Sequence, residues 1–302
     1  MKKILIYFFL LLLGTLTIFI TILSTKGIET KRFNKIISEK IIKTNKNIDV
    51  EIKKILIKFD IKTFEIFLST SKPKLSFNQS NLPINEIRTY VEFNSIFKNR
   101  IEIKNIYIDM NYLSYKELRK ILVSTKPSNL KSIILNNIIE GDVKAKFEIN
   151  FDKDLIVNNY QVDGHVKNLH ANIKNNINIK NTDFIFSLGK NRGFLQSVNG
   201  KLNDLKFSQG KIDFNVKNDI RIDAKINNSI DLTKVNLSKY FSEIPSTISL
   251  NNFNIKGEMK NKVVLTLDKT LKILNYDLKI EGKLKESFIS FKSPIKNFNF
   301  IF

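Results

Sequence analysis

The chain contains no cysteine and no tryptophan, and only two of its 302 residues are histidines. Without cysteine it cannot form disulfides, thiolate zinc sites or iron–sulfur ligands, and it has no thiol nucleophile. Common enzyme motifs are missing as well, since no Gly-x-Ser-x-Gly, His-Glu-x-x-His, P-loop or dinucleotide-binding fingerprint occurs in the sequence. The sequence therefore predicts a protein that is not an enzyme and that uses no cofactor and no metal.

Two small groups of polar residues resemble catalytic or metal-binding sites only superficially. His165 and His170 are five residues apart, an odd separation that places them on opposite faces of a continuous strand, so they cannot share a metal. Asp152 and Asp154 flank Lys153 in a predicted hairpin tip, where aspartate is common as a turn-forming residue. We interpret the histidines as satisfied surface or turn residues and the aspartates as part of a turn, not as a glycosidase pair.

The charge of the chain is strongly positive, with 50 Lys+Arg against 29 Asp+Glu and a formal net charge of +21. Such an excess is compatible with a nucleic acid or with anionic lipid headgroups. Nucleic-acid binding needs basic residues clustered with stacking aromatic residues on one face. Here the lysines are spread along the whole chain and the 24 phenylalanines mostly alternate with polar residues. We therefore predict no nucleic-acid partner.

An uncharged apolar run extends from Ile4 to Leu23. At ~1.5 Å per helical residue it is long enough to cross a hydrocarbon core of about 30 Å. A cleaved signal peptide is the alternative, but its apolar region is usually about 7–15 residues long and ends in a small-x-small site, which residues 24–26 lack. The sequence predicts a retained anchor at residues 1–24 with its N-terminus in the cytoplasm. The residues assigned to this membrane anchor include Ile4, Phe8, Leu12, Phe19 and Leu23.

Three later segments have helical patterns. Residues 25–45 are predicted to form an amphipathic connecting helix, because Phe33, Ile36, Ile37 and Ile41 fall on one stripe. Ser114 and Glu117 have capping-box spacing ahead of a short apolar helix. The segment 237–241 also has helical character and stops before a proline.

From residue 46 onward the dominant hydrophobic period is two. In the segment 143–151, Val143, Ala145, Phe147, Ile149 and Phe151 alternate with polar residues, as expected of a strand with one apolar face. The same pattern recurs in Ile101/Ile103, Phe184/Phe186/Leu188, Ile212/Phe214/Val216 and Ile220/Ile222/Ala224/Ile226. Short polar breaks at 190–193 and 217–219 are typical of antiparallel hairpins. We predict a mostly β body, residues 46–302, with an antiparallel meander.

A weak internal repeat runs through this body. An apolar residue lies near a glycine, followed by a basic or polar residue, an aliphatic residue and a polar turn. The copies are centred on Gly164, Gly200 and Gly282, with partial copies at Gly141 and Gly257. Because the spacing is irregular, the repeat predicts a recurring hairpin and not a solenoid unit of fixed length.

The shortage of helix raises the question of what covers the apolar faces of about sixteen to twenty strands. Two sheets packed together, or a closed barrel, would bury them. A curled sheet that keeps its apolar face as a groove for a hydrophobic ligand is the third solution. In that case the candidate lining is Ile101, Ile103, Phe147, Ile149, Phe151, Phe184, Phe186, Ile212, Phe214, Ile220 and Ile222.

Taken together, these features resemble the AsmA-like family, which includes TamB and YhdP relatives. The resemblance rests on the N-terminal anchor, the Thr-Lys-Gly-Ile sequence at 25–28, the segments 91–97 and 100–108, the short helix at 115–123 and the glycine-centred repeats after it. It covers nearly the whole chain and rests on pattern, not on an invariant motif. Members that bridge two membranes are often much longer, so the chain is expected to be a short member or a fragment.

The resemblance implies a bacterial inner-membrane protein, crossing the membrane once, whose elongated, curled β-rich body forms a hydrophobic groove in the periplasm. Its expected partners are the inner-membrane lipid bilayer, phospholipid acyl chains, and outer-membrane or periplasmic proteins. The expected function is to hold or move phospholipid between the inner and outer membranes. The alternative is an anchored structural or assembly protein whose strands close on themselves and which binds a protein partner along a strand edge.

Overall fold

A computed structural model describes residues 2–30, 48–52, 54–92, 102–152, 154, 156–173, 177–203, 205–231 and 248–291. This part of the chain is mostly β, with one long N-terminal helix, two short helices and sixteen strands. Most of the predicted connecting helix and the predicted helical segment 237–241 lie outside the described residues, and so does Ile101.

The N-terminal helix α1 spans Lys2–Thr25. It is the one described helix that is long and apolar enough to cross a membrane, over Ile6–Thr25, which is consistent with single-pass anchoring. Its hydroxyl groups are satisfied within the helix, because Thr17 donates to the Leu13 carbonyl and Thr21 to the Thr17 carbonyl, each at 2.8 Å. Such internal bonds let hydroxyl side chains lie in a hydrocarbon environment without an unsatisfied donor.

The end of α1 is joined directly to the first strand. Gly27, with φ of +74°, terminates the helix, and its amide donates to the Ile22 carbonyl at 2.9 Å. The next residues form β1 (Ile28–Thr30), which pairs with β3 so that Ile28 lies opposite Ile57. Of the described α1 side chains only Leu23 is buried, and α1 contacts β3. The helix therefore contacts the sheet with its last turn, and the rest of α1 extends away from the sheet.

The strands form one large and one small sheet. The small sheet has the order β2-β5-β6, and the large sheet has thirteen strands in the order β1-β3-β4-β7-β8-β9-β10-β11-β12-β13-β14-β15-β16. The bounds of the remaining strands are β2 Ile48–Glu51, β3 Ile55–Asp60, β4 Glu65–Ser71, β5 Lys74–Phe77, β6 Ser80–Leu82, β7 Ile84–Val91, β8 Ile103–Ser114, β9 Ile138–Phe151, β10 Val157–Ile173, β11 Ile177–Gly189, β12 Arg192–Leu202, β13 Leu205–Val216, β14 Ile220–Asp231, β15 Ile248–Leu267 and β16 Ile273–Phe291.

From β7 onward every strand pairs with its neighbour in sequence, which confirms the predicted antiparallel meander. The predicted hairpin breaks are correct as well, since residues 190–191 connect β11 to β12 and residues 217–219 connect β13 to β14. In the described part, β1 and β16 stand at the two ends of the strand order, so the large sheet is not closed.

Two short helices lie between β8 and β9. Helix α2 (Tyr115–Val123) begins with the predicted capping box, because the Ser114 hydroxyl accepts from the Glu117 amide and the Glu117 carboxylate accepts from the Ser114 amide. Helix α3 (Asn129–Asn137) is missed by the sequence analysis, although the Ser128 hydroxyl caps it by accepting from the Lys131 amide at 3.1 Å. Its short, asparagine-rich sequence gives little helical periodicity.

The repeated glycines lie inside strands. The copy around Gly200 runs into the hairpin that joins β12 to β13, where Leu202 pairs with Leu205. The copies around Gly164 and Gly282 lie within β10 and β16, so for them the predicted hairpin is wrong. A Cβ at Gly200 would collide with the Thr182 side chain and lie 2.9 Å from the Phe207 ring. A Cβ at Gly257 would lie 2.7 Å from the Lys283 carbonyl oxygen. The glycines therefore mark places where neighbouring strands approach closely.

The chain divides into two compact units. The first comprises residues 1–127, 142–164 and 187–190, and the second comprises residues 128–141, 165–186 and 191–302. The first unit has a small packed core in which Ile55, Leu68 and Val91 are buried against Ile52, Ile57 and Ile66. In the second unit the buried residues described are few and lie within strands, among them Ala171, Phe186 and Val198.

Candidate functional site

The strand register of the second unit gathers apolar side chains on one face. Residues directly opposite each other in an antiparallel pair point to the same face. One row across four strands consists of Phe214, Ile222, Leu265 and Tyr276, and the next row consists of Ile212, Ala224, Val263 and Leu278. We call this surface, extended along β16 by Ile280 and Leu284, the apolar face of the second unit.

The opposite face of the same strands is charged. Ion pairs link residues two apart on one strand: Lys211 with Asp213 at 3.1 Å, Arg221 with Asp223 at 3.0 Å and Lys279 with Glu281 at 2.6 Å. The hydrogen bond from Arg221 lowers the pKa of Asp223, so this carboxylate stays ionised. The sheet of the second unit is therefore amphipathic, with one face suited to water and the other not.

The apolar face is exposed where it reaches β16. Tyr276 is 70% exposed, Leu278 53%, Ile280 51% and Leu284 53%. Further inside, Phe214, Ile222 and Leu265 are half-buried by their lateral neighbours. A row of large apolar side chains left in water is unfavourable by roughly 25 cal/mol for each Å² that remains exposed. Contiguous surfaces of this kind mark binding sites for proteins, membranes or hydrophobic ligands.

The first unit has its own apolar face. Ile57 lies opposite Leu68 on β3 and β4, while Ile106 lies opposite Ile149 on β8 and β9. Leu68 belongs to the packed core, whereas Ile106 and Ile149 are half-buried. The side chains on the apolar face of the first unit are thus more deeply buried on β3 and β4 than on β8 and β9.

The predicted lining residues fall on these two faces as far as the registers define them. Phe147 and Ile149 share a face with Ile106 and Ile108 in the first unit, and Ile103 lies opposite Val91. Ile212, Phe214, Ile220 and Ile222 lie together on the apolar face of the second unit. The rings of Phe184 and Phe186 lie 6.5 Å apart, with Phe186 buried and Phe184 half-buried, and Phe151 is half-buried at the end of β9.

The most exposed part of the apolar surface lies outside the predicted lining. Tyr276, Leu278, Ile280 and Leu284 alternate with polar residues on β16 and could have been found by the same period-two pattern. What the pattern cannot give is their exposure, because that depends on β16 being the last strand of the sheet in the described part of the chain.

The polar face of the first unit carries a second feature that the sequence analysis missed. A shallow cavity of about 300 Å³ is lined by Glu86, Arg88, Tyr90, Tyr107, Asp109 and Lys146, and also by Ile108 and Phe147, which the strand register assigns to the apolar face. Arg88 pairs with Glu86 at 2.7 Å and its guanidinium carbon lies 5.6 Å from the centre of the Phe67 ring. Phe67 stacks on Tyr90 with ring centres 5.2 Å apart. These contacts fix the cavity wall across β4 and β7.

Hydrogen bonds to neighbouring side chains fix the protonation states of Glu86 and Tyr90 in this cavity. Burial alone would raise the pKa of Glu86, but hydrogen bonds from Arg88 and Ser69 outweigh it, so the pKa is lowered. Burial and a hydrogen bond to Asp60 raise the pKa of Tyr90 to about 12, so its hydroxyl stays neutral. Asp109 Oδ1 is buried and has no hydrogen-bond partner among the described residues.

The polar residues considered in the sequence analysis have structural roles. Asp152 Oδ1 accepts hydrogen bonds from the amides of Asp154 and Ile156, both at 2.9 Å, which confirms the turn. His170 Nδ1 lies 2.7 Å from a Glu140 oxygen and Nε2 lies 2.7 Å from the Asn181 side-chain oxygen. No group of three or more potential metal ligands occurs among the residues that the structure describes.

Comparisons with protein-family models, curated proteins and solved structures find no match to this chain. Fold and surface nevertheless define a class, namely an antiparallel β protein with an N-terminal helix of membrane-spanning length and a sheet with one apolar and one charged face.

Proposed function

We propose that this chain is a lipid-handling protein, anchored in the bacterial inner membrane by α1, whose β body lies in the periplasm and holds or moves phospholipid. The observation that carries the proposal is the apolar face of the second unit, on which Tyr276, Leu278 and Ile280 are more than half exposed on β16. The N-terminal helix supports it, because a protein that exchanges lipid with a bilayer benefits from being attached to one.

In this proposal acyl chains lie against the rows that contain Phe214, Ile222, Leu265 and Tyr276. Each half-exposed side chain that a lipid covers contributes roughly 1 kcal/mol, from about 25 cal/mol per Å² of apolar surface removed from water. No covalent step is involved, and the lipid slides or rests on a surface without deep specific pockets. Phospholipid headgroups remain at the rim, where lysine ammonium groups of the charged face meet phosphate.

Asn228 and Asn261 interrupt this face. Asn228 lies opposite Met259, and its Oδ1 is buried without a hydrogen-bond partner among the described residues. The interruption at Asn261 is compatible with an apolar ligand. Asn261 lies opposite Ile280 in the middle of the apolar rows, and its amide donates to the Ile226 carbonyl at 3.3 Å. The donor is therefore satisfied within the sheet, so covering it with an acyl chain does not leave that bond unmade.

A second candidate function is an anchored assembly protein that binds a protein partner along a strand edge. It is supported by the position of β16, a 19-residue strand (Ile273–Phe291) at the end of the strand order in the described part. A partner strand could pair with such an edge through main-chain hydrogen bonds.

Site-specific photo-cross-linking in cells separates these functions. A benzophenone amino acid replaces Leu278 on the apolar face or, as a matched control, the adjacent Asp277 on the opposite face, in the full chain. We expect a phospholipid adduct at position 278 and none at 277, detected by mass spectrometry. Equal lipid labelling at both positions, or a protein adduct alone at 278, would contradict lipid handling by this face. The protein adduct would instead favour the assembly function.

A further inference from the structure

The turn between β3 and β4 exposes large apolar side chains at its tip. It consists of residues 61–64, Ile-Lys-Thr-Phe, in which Ile61 is 55% exposed and Phe64 is 78% exposed. Turns in contact with water are normally built from small polar residues. An exposed isoleucine and phenylalanine on either side of a lysine are instead typical of segments that enter the membrane interface.

The backbone at Phe64 makes the choice of residue more unusual. Phe64 has φ of +57°, a left-handed conformation that favours glycine and asparagine and is strained for a bulky side chain. Its ring meets Phe59 edge-on, with ring centres 6.1 Å apart, and otherwise points to solvent. Neither its conformation nor its burial explains a phenylalanine at this position, whereas an apolar surface outside the described residues would.

The strand register places this turn beside the end of α1. Because β1 is antiparallel to β3 and Ile28 lies opposite Ile57, the start of β1 lies next to the end of β3. The β3–β4 turn follows that end of β3, and α1 precedes that start of β1. Gly27 touches this region directly, because a Cβ there would lie 2.8 Å from Lys58 Cγ. From Lys58 to Ile61 is three residues, or about 10 Å along the strand. The apolar tip and the end of the membrane-length helix are therefore close neighbours.

The turn is presented rigidly. The Lys62 amide donates to Asp60 Oδ1 at 2.9 Å, and the Tyr90 hydroxyl donates to Asp60 Oδ2, also at 2.9 Å. The first bond closes the turn and the second ties it to β7. On the other side, only Lys26 and Gly27 separate α1 from β1. The tip therefore cannot move far from the helix end without breaking one of these connections.

We propose that the β3–β4 turn inserts Ile61 and Phe64 into the bilayer leaflet from which α1 emerges, with Lys62 at the level of the lipid phosphates. The proposal rests on the membrane anchoring of the proposed function but not on lipid transport. Its occupant is the lipid surface itself, because the apolar tip continues the membrane contact that α1 makes. The turn is then a second point of attachment that holds the first strands in a fixed orientation at the membrane.

The absence of tryptophan from the chain allows a direct test with single-tryptophan variants of the full protein in phosphatidylcholine–phosphatidylglycerol vesicles. Phe64→Trp reports on the tip, and Phe8→Trp, within α1, reports on the anchor. Lys72→Trp is the matched control, because Lys72 is an exposed turn residue at the opposite end of β4 and also has a positive φ, +47°.

We expect the emission of Phe64→Trp and Phe8→Trp to shift to shorter wavelength and to lose intensity when the vesicles contain brominated lipid, while Lys72→Trp stays unquenched. If Phe8→Trp is quenched but Phe64→Trp behaves like Lys72→Trp, the inserted tip is wrong and the anchor stands. If Phe8→Trp is also unquenched, the anchor and the inserted tip are both wrong. Ile61→Trp, which leaves Phe64 in place, repeats the test should Phe64→Trp fail to fold.

Discussion

The hydroxyl of Tyr90 donates to Asp60 Oδ2 at 2.9 Å and so joins strand β7 to the turn that follows β3. The same carboxylate accepts from the Lys62 amide. Burial alone would raise the pKa of Asp60, but these two bonds, a further bond from the Thr63 backbone and the positive charge of Arg88 together outweigh it and lower the pKa. One aspartate thus fixes both the shape of the β3–β4 turn and its position on the sheet.

Removing the Tyr90 hydroxyl should change how stability depends on alkaline pH. Burial and the bond to Asp60 raise the folded-state pKa of Tyr90 to about 12, above its ordinary value of 10.0. The contribution of the neutral Tyr90 hydroxyl to the free energy of unfolding is therefore complete below pH 10 and is lost between pH 10 and 12. We expect Tyr90→Phe to lose about 0.5–1.5 kcal/mol at neutral pH and to fall less steeply above pH 10. Urea unfolding of the full chain in detergent at several pH values measures both effects, and an unchanged alkaline slope would contradict the assignment.

Glu86 should make the stability of the protein depend on pH in the acidic range. Its folded-state pKa lies below the ordinary value of 4.5, so its contribution is present above that pH and is lost as the pH falls through the lowered value. We expect the stability of the wild type to fall more steeply between pH 5 and pH 3 than that of Glu86→Gln. Urea unfolding of both proteins across this pH range measures the difference, and equal slopes would contradict the assigned role of Glu86.

Adding a methyl group at Gly200 should be costly because Thr182 and Phe207 occupy the space that a Cβ would need. Overfilling a packed site typically costs about 1–3 kcal/mol, and we expect Gly200→Ala to fall in this range. Gly14→Ala provides the comparison, since no atom lies within 4 Å of a Cβ built there. Equal denaturation midpoints for the two variants would mean that the strands do not approach closely at Gly200.

A charge on the apolar face of β16 should remove bound lipid without unfolding the protein. Leu278 is 53% exposed, so Leu278→Asp sacrifices little packing, and we expect a stability loss below about 1 kcal/mol. The amount of phospholipid that copurifies with the protein should fall severalfold, because a carboxylate cannot be covered by an acyl chain without a large desolvation cost. Lys283→Asp, on the charged face of the same strand, should keep its lipid; a parallel loss in both variants would argue against the face.

Replacing Phe64 by asparagine should not harm the fold. Asparagine tolerates a φ of +57°, whereas phenylalanine is strained there, so we expect Phe64→Asn to be neutral or to gain up to about 1 kcal/mol. Thermal unfolding should be measured in detergent, because no bilayer is then present to stabilise the aromatic ring. A clear destabilisation would show that the edge-on contact with Phe59 outweighs the backbone strain.

The features predicted correctly from the sequence depend on residues close together in the chain. The apolar run of α1, the capping box at Ser114 and the alternation that produces β9, β13 and β14 are all local patterns. The crowding at Gly200 was not predicted, because it comes from Thr182 on another strand. The cavity at Tyr90 and Tyr107 was missed for the same reason, since its residues come together only through the register of β7, β8 and β9.

Only two residues, Lys26 and Gly27, connect the helix of membrane-spanning length to the first strand of the sheet. A helix adjusts its tilt when the hydrocarbon layer becomes thinner or thicker. Because Lys26 and Gly27 alone intervene before β1 pairs with β3, such a tilt is passed on to these first strands as a rotation of their axes. In the proposed single-pass anchoring, a change in bilayer thickness would therefore change the direction in which these first strands point.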